Sequence, residues 1–210
     1  MRSSLRRLLP ASVLLCLNVM AVAADELPIP ADEFVYCSTC HGVQLMGNPI
    51  LEAPRLSGMA AWYVEQQMRS FKDGWRGTHD TDLAGRDMQP MAAALSDKQI
   101  REVAEYVSQT RSGPPETTLP GNVEKGRALY ASCSACHGQK GEGVESLRGP
   151  ALANLNDWYL VTQMQHFRDG SRGSHPEDRY GMQMRAPAQS MTDENAIMDV
   201  ISYISTLRHE

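Results

Sequence analysis

The apolar positions of the chain recur at the spacing of amphipathic helices. In residues 59–73 large apolar side chains fall at helical intervals up to Gly74, and residues 156–169 repeat this pattern. The segment Ser96-Asp-Lys-Gln99 is a capping box that predicts a further helix, and Thr192 opens its counterpart near the end of the chain. No stretch of useful length alternates apolar and polar residues, so the pattern predicts an all-α protein.

The chain matches itself when it is shifted by 96 residues. Between Cys37 and Asp97 the shifted copies share 24 identities in 61 positions without a gap. This period is well above the roughly 20 to 50 residues of a solenoid repeat, so it indicates two whole domains. The segment 113–121 between them is rich in Pro and Gly, which is typical of a semi-rigid linker. We therefore predict an N-terminal domain at 25–112 and a C-terminal domain at 122–210.

The first 24 residues have the layout of a secretory signal peptide. Three arginines precede an apolar run that ends in small residues just before Asp25. Pro10 and Asn18 interrupt the run, which is shorter than the roughly 20 residues that a membrane span needs. A lipid anchor at Cys16 is disfavoured by the bulky residue before it. We therefore predict export and cleavage, with a retained membrane anchor as the alternative.

The net charge narrows the choice of partners. The chain carries -5 at pH 7, and losing the first 24 residues, with three Arg and no acid, brings it to -8. An acidic protein is poorly suited to nucleic acid or anionic lipid, because both require a basic face. The charge favours protein partners with basic docking surfaces. We expect no transmembrane span after processing, and peripheral association with a membrane is left open.

Each predicted domain carries one C-x-x-C-H motif, at 37–41 and at 133–137. Two thiols one turn apart can add to the vinyl groups of a haem while the adjacent His reaches the iron. A thioredoxin-like pair would stand alone after a strand, a zinc ribbon would place its pairs roughly 15 to 20 residues apart, and a disulfide would leave both histidines unexplained. We therefore predict two covalently bound haem c groups, attached through Cys37, Cys40, Cys133 and Cys136. No cysteine of the exported protein is then left for catalysis.

These motifs resemble those of class I cytochromes c, and the duplication resembles the di-haem cytochrome c4 type. The likeness covers about residues 30–208 and rests on the attachment motifs, on Pro54 and Pro150 a short loop later, and on Met88 and Met184. It implies two tandem cytochrome c-like helical domains, each wrapped around a covalently bound haem c, in an electron-transfer protein of the periplasm. It also implies that each proline carbonyl accepts the second ring proton of its histidine.

The resemblance further implies axial iron ligands. It assigns His41 with Met88 and His137 with Met184, and each methionine lies 47 residues after its histidine. The reserve candidates for the sixth ligand are His79, His175, Met91 and Met182.

Arg76 and Arg172 occupy matching places in the Gly-rich middle segments. They either pair with haem propionates, because a guanidinium fork fits a carboxylate, or lie solvated in loops. His166 has no counterpart in the other copy, and the sequence assigns it no role.

A haem held by His and Met has no open iron position, which suits electron transfer and disfavours oxygen chemistry. We predict a carrier between a quinol-oxidising complex or dehydrogenase and a terminal oxidase or reductase. The alternatives are an electron-transfer subunit of a larger oxidoreductase complex and a di-haem enzyme such as a peroxidase. No residue is assigned a catalytic role.

Overall fold

The structure, a computed structural model, describes residues 34–207. The predicted signal peptide, the first residues of the predicted N-terminal domain and the last three residues lie outside this part. Within residues 34–207 the chain forms nine α-helices and no strand beyond two single β-bridges. The all-α prediction is confirmed.

The helices form two lobes that repeat the same order of elements. The N-lobe contains α1 (Cys37–His41), α2 (Ala61–Lys72), α3 (Leu83–Ala93) and α4 (Asp97–Gln109). The C-lobe contains α5 (Val123–Tyr130), α6 (Ser134–His137), α7 (Asp157–Asp169), α8 (Arg179–Ser190) and α9 (Glu194–Ile204). Short 3-10 turns follow α1 at Val43–Leu45 and precede the C-lobe's long loop at Glu145–Leu147.

Each lobe encloses an apolar core between its longer helices. In the N-lobe, Phe71 of α2 and Ile100 and Val103 of α4 are buried together. In the C-lobe, Ile197 and Ile201 of α9 are almost fully buried. The periodic apolar faces predicted for these helices are therefore the faces that build the cores.

Polar caps fix where most of the helices begin. The predicted capping box at α4 is confirmed, because the side chains of Ser96 and Gln99 bond each other's backbone N–H groups. The predicted start of α9 is one residue early: Asp193, and not Thr192, caps the helix by accepting from the N–H of Asn195 at 2.9 Å.

Helices α3 and α8 lie partly within the Gly-rich middle segments, where the sequence does not predict a helix. Asp82 and Asp178 cap them, each accepting from the N–H of a glycine three residues later at 2.9 Å. Pro90 and Pro187 lie inside these helices, and prolines there argue against a helix when only the sequence is considered. The same aspartate cap in each lobe thus fixes the start of the helix that carries Met88 or Met184.

Residues 110–122, which include the predicted linker, form no helix and run along both lobes. Asp157 at the start of α7 accepts from the N–H of Thr118 at 2.5 Å and of Leu119 at 3.0 Å. Arg55 of the N-lobe donates to the carbonyls of Ser112 and Gly113. The connecting segment is therefore pinned at both ends. None of the helices within residues 34–207 is long and apolar enough to cross a bilayer.

Candidate haem sites

The two attachment motifs lie on the short helices α1 and α6. Cys40 and Cys136 are exposed, Cys37 and Cys133 are half-buried, and no disulfide joins them. Burial raises the pKa of the Cys37 and Cys133 thiols. A redox-active dithiol needs the opposite shift, because its thiolate is the reactive form. Burial of Cys37 and Cys133 thus disfavours the thiolate form in these two residues.

The histidine of each motif is buried and held in one orientation. His41 Nδ1 donates to the carbonyl of Pro54 at 2.7 Å, and His137 Nδ1 donates to the carbonyl of Pro150 at 2.8 Å. Both predicted bonds are confirmed. Burial lowers the pKa of both imidazoles, which favours the neutral form. With the proton on Nδ1, the Nε2 lone pair is free to bind a metal.

A cavity of about 420 Å³ lies beside His137 in the C-lobe. Its wall is mainly apolar and includes both motif cysteines, Met184 and Phe167. Three residues of the other lobe, Tyr63, Gln66 and Gln67, complete the wall. A largely apolar crevice with a few convergent polar groups is what a porphyrin with two carboxylates requires. The residues present therefore fit a haem attached at Cys133 and Cys136.

The candidate methionines differ in their access to these sites. Met184 on α8 lines the C-lobe cavity, and Met88 on α3 packs against the N-lobe core. Met91 and Met182 are 45% and 40% exposed, on the outward sides of the same two helices. The geometry favours Met88 and Met184 over these reserves.

The two reserve histidines are engaged elsewhere. His79 is exposed, and its Nδ1 lies 2.9 Å from the hydroxyl of Thr81. His175 stacks on Trp75 of the other lobe with ring centroids 5.6 Å apart. His175 is also absent from the wall of the C-lobe cavity that His137 lines.

Where the lobes meet, two arginines and two glutamines bond reciprocally. Gln67 Oε1 accepts from Arg76 Nη1 at 2.8 Å and from Arg172 Nη2 at 2.9 Å. Gln163 Oε1 accepts from Arg172 Nη1 at 2.6 Å and from Arg76 Nη2 at 3.3 Å. No local motif marks the glutamines, although Gln67 and Gln163 are counterparts in the duplication.

Both arginines of this cluster are buried and lack a carboxylate partner among the described residues. Arg76 and Arg172 are 6% and 5% exposed, and each lies over a phenylalanine of its own lobe at 4.2 and 4.3 Å from the ring centroid. Burial and the charge of Arg172 lower the pKa of Arg76. Burial also acts to lower the pKa of Arg172, but Tyr63, Tyr159 and Asp178 outweigh it, and that pKa is raised. The alternative of solvated loop arginines is therefore wrong. Asp82 attracts Arg76 and Asp178 attracts Arg172 without forming an ion pair, so the positive charge of these two buried cations is only partly compensated.

The unpaired guanidinium nitrogens indicate where anions belong. The Nε atoms of Arg55, Arg76, Arg172 and Arg185 are buried and have no hydrogen-bond partner among the described residues. Arg172 also lines the C-lobe cavity. Haem propionates are carboxylates, and two haems would bring four of them. The lobe interface therefore has the donors that propionates need.

Comparisons with known proteins agree with this geometry. The cytochrome c family model matches the chain twice, at residues 34–111 and 123–208. The thiosulfate dehydrogenase electron acceptor of Stutzerimonas stutzeri (strain A1501) is 33% identical over 192 residues, which cover 82% of this chain and 83% of that protein. Cytochrome c4 of Thiocapsa roseopersicina is 31% identical over 182 residues, which cover 81% and 86% of the two chains.

A solved structure gives the same result. Cytochrome c4 of Acidithiobacillus ferrooxidans superposes with a TM-score of 0.66 at 27% identity, covering 81% of this chain and 98% of that chain. Together with two attachment motifs and two matching lobes, these similarities show that the chain belongs to the cytochrome c family, as a di-haem protein of the cytochrome c4 type.

Proposed function

We propose that the protein is an exported, periplasmic electron carrier whose two haems pass single electrons from a quinol-oxidising complex or dehydrogenase to a terminal oxidase or reductase. The haems are bound through Cys37, Cys40, Cys133 and Cys136. The axial ligands are His41 and Met88 in the N-lobe and His137 and Met184 in the C-lobe. Each bound haem supplies a one-electron iron couple.

The observation that carries this proposal is the C-lobe cavity. His137 and Met184 both line it, and the ring of His137 is held by the Pro150 carbonyl. A ligand from each residue leaves no iron position open to oxygen or peroxide, so the site favours electron transfer over catalysis. The relatives described above are electron-transfer proteins, and we do not propose a peroxidase.

The lobe contact supports transfer between the two sites within one molecule. N-lobe residues complete the wall of the C-lobe cavity, and the Arg and Gln cluster lies between the lobes. The loops before the two methionines differ, since residues 82–87 read Asp-Leu-Ala-Gly-Arg-Asp and residues 178–183 read Asp-Arg-Tyr-Gly-Met-Gln. Different surroundings set different reduction potentials, which gives the flow a preferred direction.

The ligand assignment is tested on the oxidised protein by optical and low-temperature magnetic resonance spectroscopy. We expect two low-spin haems with sulfur ligation. Met88→Ala and Met184→Ala each remove the sulfur signature of one haem, whereas Met91→Leu and Met182→Leu, the matched controls, leave both unchanged. A bis-histidine signature in the unsubstituted protein would refute the assignment.

The donor is tested by kinetics. The Stutzerimonas stutzeri relative accepts electrons from thiosulfate dehydrogenase, which favours a dehydrogenase of this kind as the donor. We expect that enzyme, supplied with thiosulfate, to reduce both haems within its own turnover time. For a basic partner the association rate falls as salt rises. Reduction by a quinol-oxidising complex alone would assign the donor to that class instead.

One observation favours a second candidate, a subunit held in a larger oxidoreductase complex. The N-lobe loop at 43–51 exposes four large apolar side chains, with Val43 at 76% and Ile50 at 90%. The matching C-lobe stretch, residues 139–147, is mostly polar. A permanent subunit covers such a surface. Purification of the protein alone, at full yield and without a catalytic partner, would remove this candidate.

A further inference from the structure

A buried arginine of the N-lobe faces the C-lobe. Arg55 is 5% exposed, and its own backbone N–H donates at 2.7 Å to Asn156 of the C-lobe. Its Nη atoms donate to the carbonyls of Ser112 and Gly113. Its Nε has no partner among the described residues. Burial lowers the pKa of Arg55, and no described carboxylate offsets that burial.

Arg55 lines a cleft of about 330 Å³ between the lobes. No Asp or Glu contributes to its wall, whereas a second arginine, Arg111, does. The cleft is therefore positively charged. A positive, partly enclosed space with an unused N–H donor is suited to a carboxylate or another anion.

The cleft adjoins the C-lobe haem cavity. Four residues line both spaces: Tyr63, Pro150, Ala151 and Leu155. Pro150 is the residue whose carbonyl holds His137, so the cleft meets the cavity on the side of that histidine. A carboxylate substituent of a haem bound in that cavity would therefore be within the neighbourhood of Arg55.

The duplication makes this arrangement one-sided. The counterpart of Arg55 in the C-lobe is Ala151, which cannot donate to an anion. The N-lobe haem thus has no equivalent cation from the other lobe at this position.

We propose that Arg55 of the N-lobe binds a propionate of the C-lobe haem and selectively raises the reduction potential of that haem. A nearby buried cation favours ferrous iron over ferric iron, because reduction lowers the positive charge at the iron. The guanidinium couples the lobes, since the same side chain also holds the linker carbonyls. The proposal rests on haem attachment in the C-lobe but not on the identity of either methionine ligand.

The test is a redox titration of the complete di-haem protein, followed by NMR. Signals of each haem are assigned through their contacts to side chains of the lobe that holds it. In Arg55→Gln we expect a selective fall in the potential of the C-lobe haem. The equilibrium constant for electron transfer from the N-lobe haem to the C-lobe haem falls roughly tenfold, about 59 mV for one electron. In Arg55→Lys, which keeps the charge, we expect partial recovery.

Arg101→Gln is the matched control. Arg101 is exposed on α4, so this change removes the same charge from the N-lobe without touching the cleft. We expect both potentials to stay within the error of the measurement. A fall confined to the N-lobe haem in Arg55→Gln, an equal fall of both haems, or no change would overturn the proposal.

A free anion in the cleft is distinguished by titration with inorganic phosphate at constant ionic strength. If the propionate occupies Arg55, the potential of the C-lobe haem does not respond to phosphate. A response that Arg55→Gln abolishes would assign the site to a small anion from solution and would refute the propionate contact. Loss of covalent haem from the denatured, unsubstituted protein would instead refute the proposed function itself.

Discussion

His166 of α7 lies across the lobe interface from Asp82, the cap of α3, with His166 Nδ1 3.7 Å from Asp82 Oδ1. Both side chains are largely buried, and neither His166 Nδ1 nor Asp82 Oδ2 has a hydrogen-bond partner among the described residues. The counterpart of His166 in the N-lobe is Ser70, so this contact exists on one side only. A histidine without a counterpart in the other lobe thus lies against the helix that carries Met88.

Because the pKa of His166 differs between the folded and the unfolded protein, we expect part of the free energy of unfolding to depend on pH. Burial lowers the pKa of His166, opposed by Asp82 and Asp169 and supported by Arg172 and Arg76. The unfolded chain therefore takes up the proton first, near the ordinary value of about 6.5. Stability falls as the pH drops from about 7 through that value toward the lower pKa of the folded protein.

His166→Ser, which installs the residue found at the N-lobe counterpart, removes this component. We expect the difference in free energy of unfolding between the two proteins to change as the pH falls from about 7 through about 6.5 toward the lower pKa of His166 in the folded protein. Denaturant titrations of the haem-loaded protein at several pH values measure it. A difference that stays constant over this range would show that His166 does not titrate on unfolding.

We expect the hydrogen bonds of Asp157 to the linker to contribute measurably to stability. It is 1% exposed and accepts from the N–H groups of Thr118, Leu119 and Trp158. Asp157→Asn removes the charge and turns one acceptor into a donor, leaving buried N–H groups unpaired. We expect a loss of about 2 kcal/mol and faster hydrogen exchange at Thr118 and Leu119. Asp73→Asn, at an exposed position, is the control, and unchanged exchange in Asp157→Asn would contradict the anchor.

Tyr130 forms a hydrogen bond that its N-lobe counterpart, a phenylalanine, cannot form. Its hydroxyl donates to the carbonyl of Gly138, just after the attachment motif, at 2.8 Å, and burial raises its pKa to about 12. The N-lobe counterpart is Phe34, which is also buried. We expect Tyr130→Phe to lose about 1 kcal/mol of stability, measured by chemical denaturation. Because Phe34 shows that the fold accepts the ring alone, an effect near zero would mean that the hydroxyl bond contributes nothing.

Gly126 lies where helices α5 and α9 pack closely against each other. A Cβ at this position of α5 would lie 1.9 Å from the carbonyl oxygen of Asp199 on α9. Gly126→Ala therefore forces the helices apart, against the usual gain from Ala in a helix. We expect a loss of about 1 to 3 kcal/mol. Gly113→Ala is the control, since nothing lies within 4 Å of a Cβ there. Greater stability of Gly126→Ala in thermal unfolding would contradict the close packing.

The elements that the sequence predicts well are those whose signal is local. The capping box at Ser96 and the apolar face of α4 need only neighbouring residues, and both are confirmed. The sequence does not predict helices α3 and α8, because Pro90 and Pro187 weaken the helical signal. In the structure Asp82 and Asp178 cap these helices.

In the candidate site too, the features with a local sequence signal are predicted and those that join distant residues are not. Each C-x-x-C-H motif contains its own chemistry, and the proline bonds to His41 and His137 follow at a fixed spacing. The contact of Arg172 with Gln67 joins residues 105 positions apart. No local pattern reports which surfaces of two lobes meet, so the buried arginine cluster and the contact of His166 could be found only in the structure.

The reciprocal pairing of Arg76 and Arg172 with the two glutamines has the form of an isologous contact, in which identical subunits of a twofold dimer use the same patch. Here both copies belong to one polypeptide. Two separate subunits would come apart on dilution, whereas tethered copies keep a high effective concentration toward each other. The path between the two redox centres therefore does not depend on the concentration of the protein.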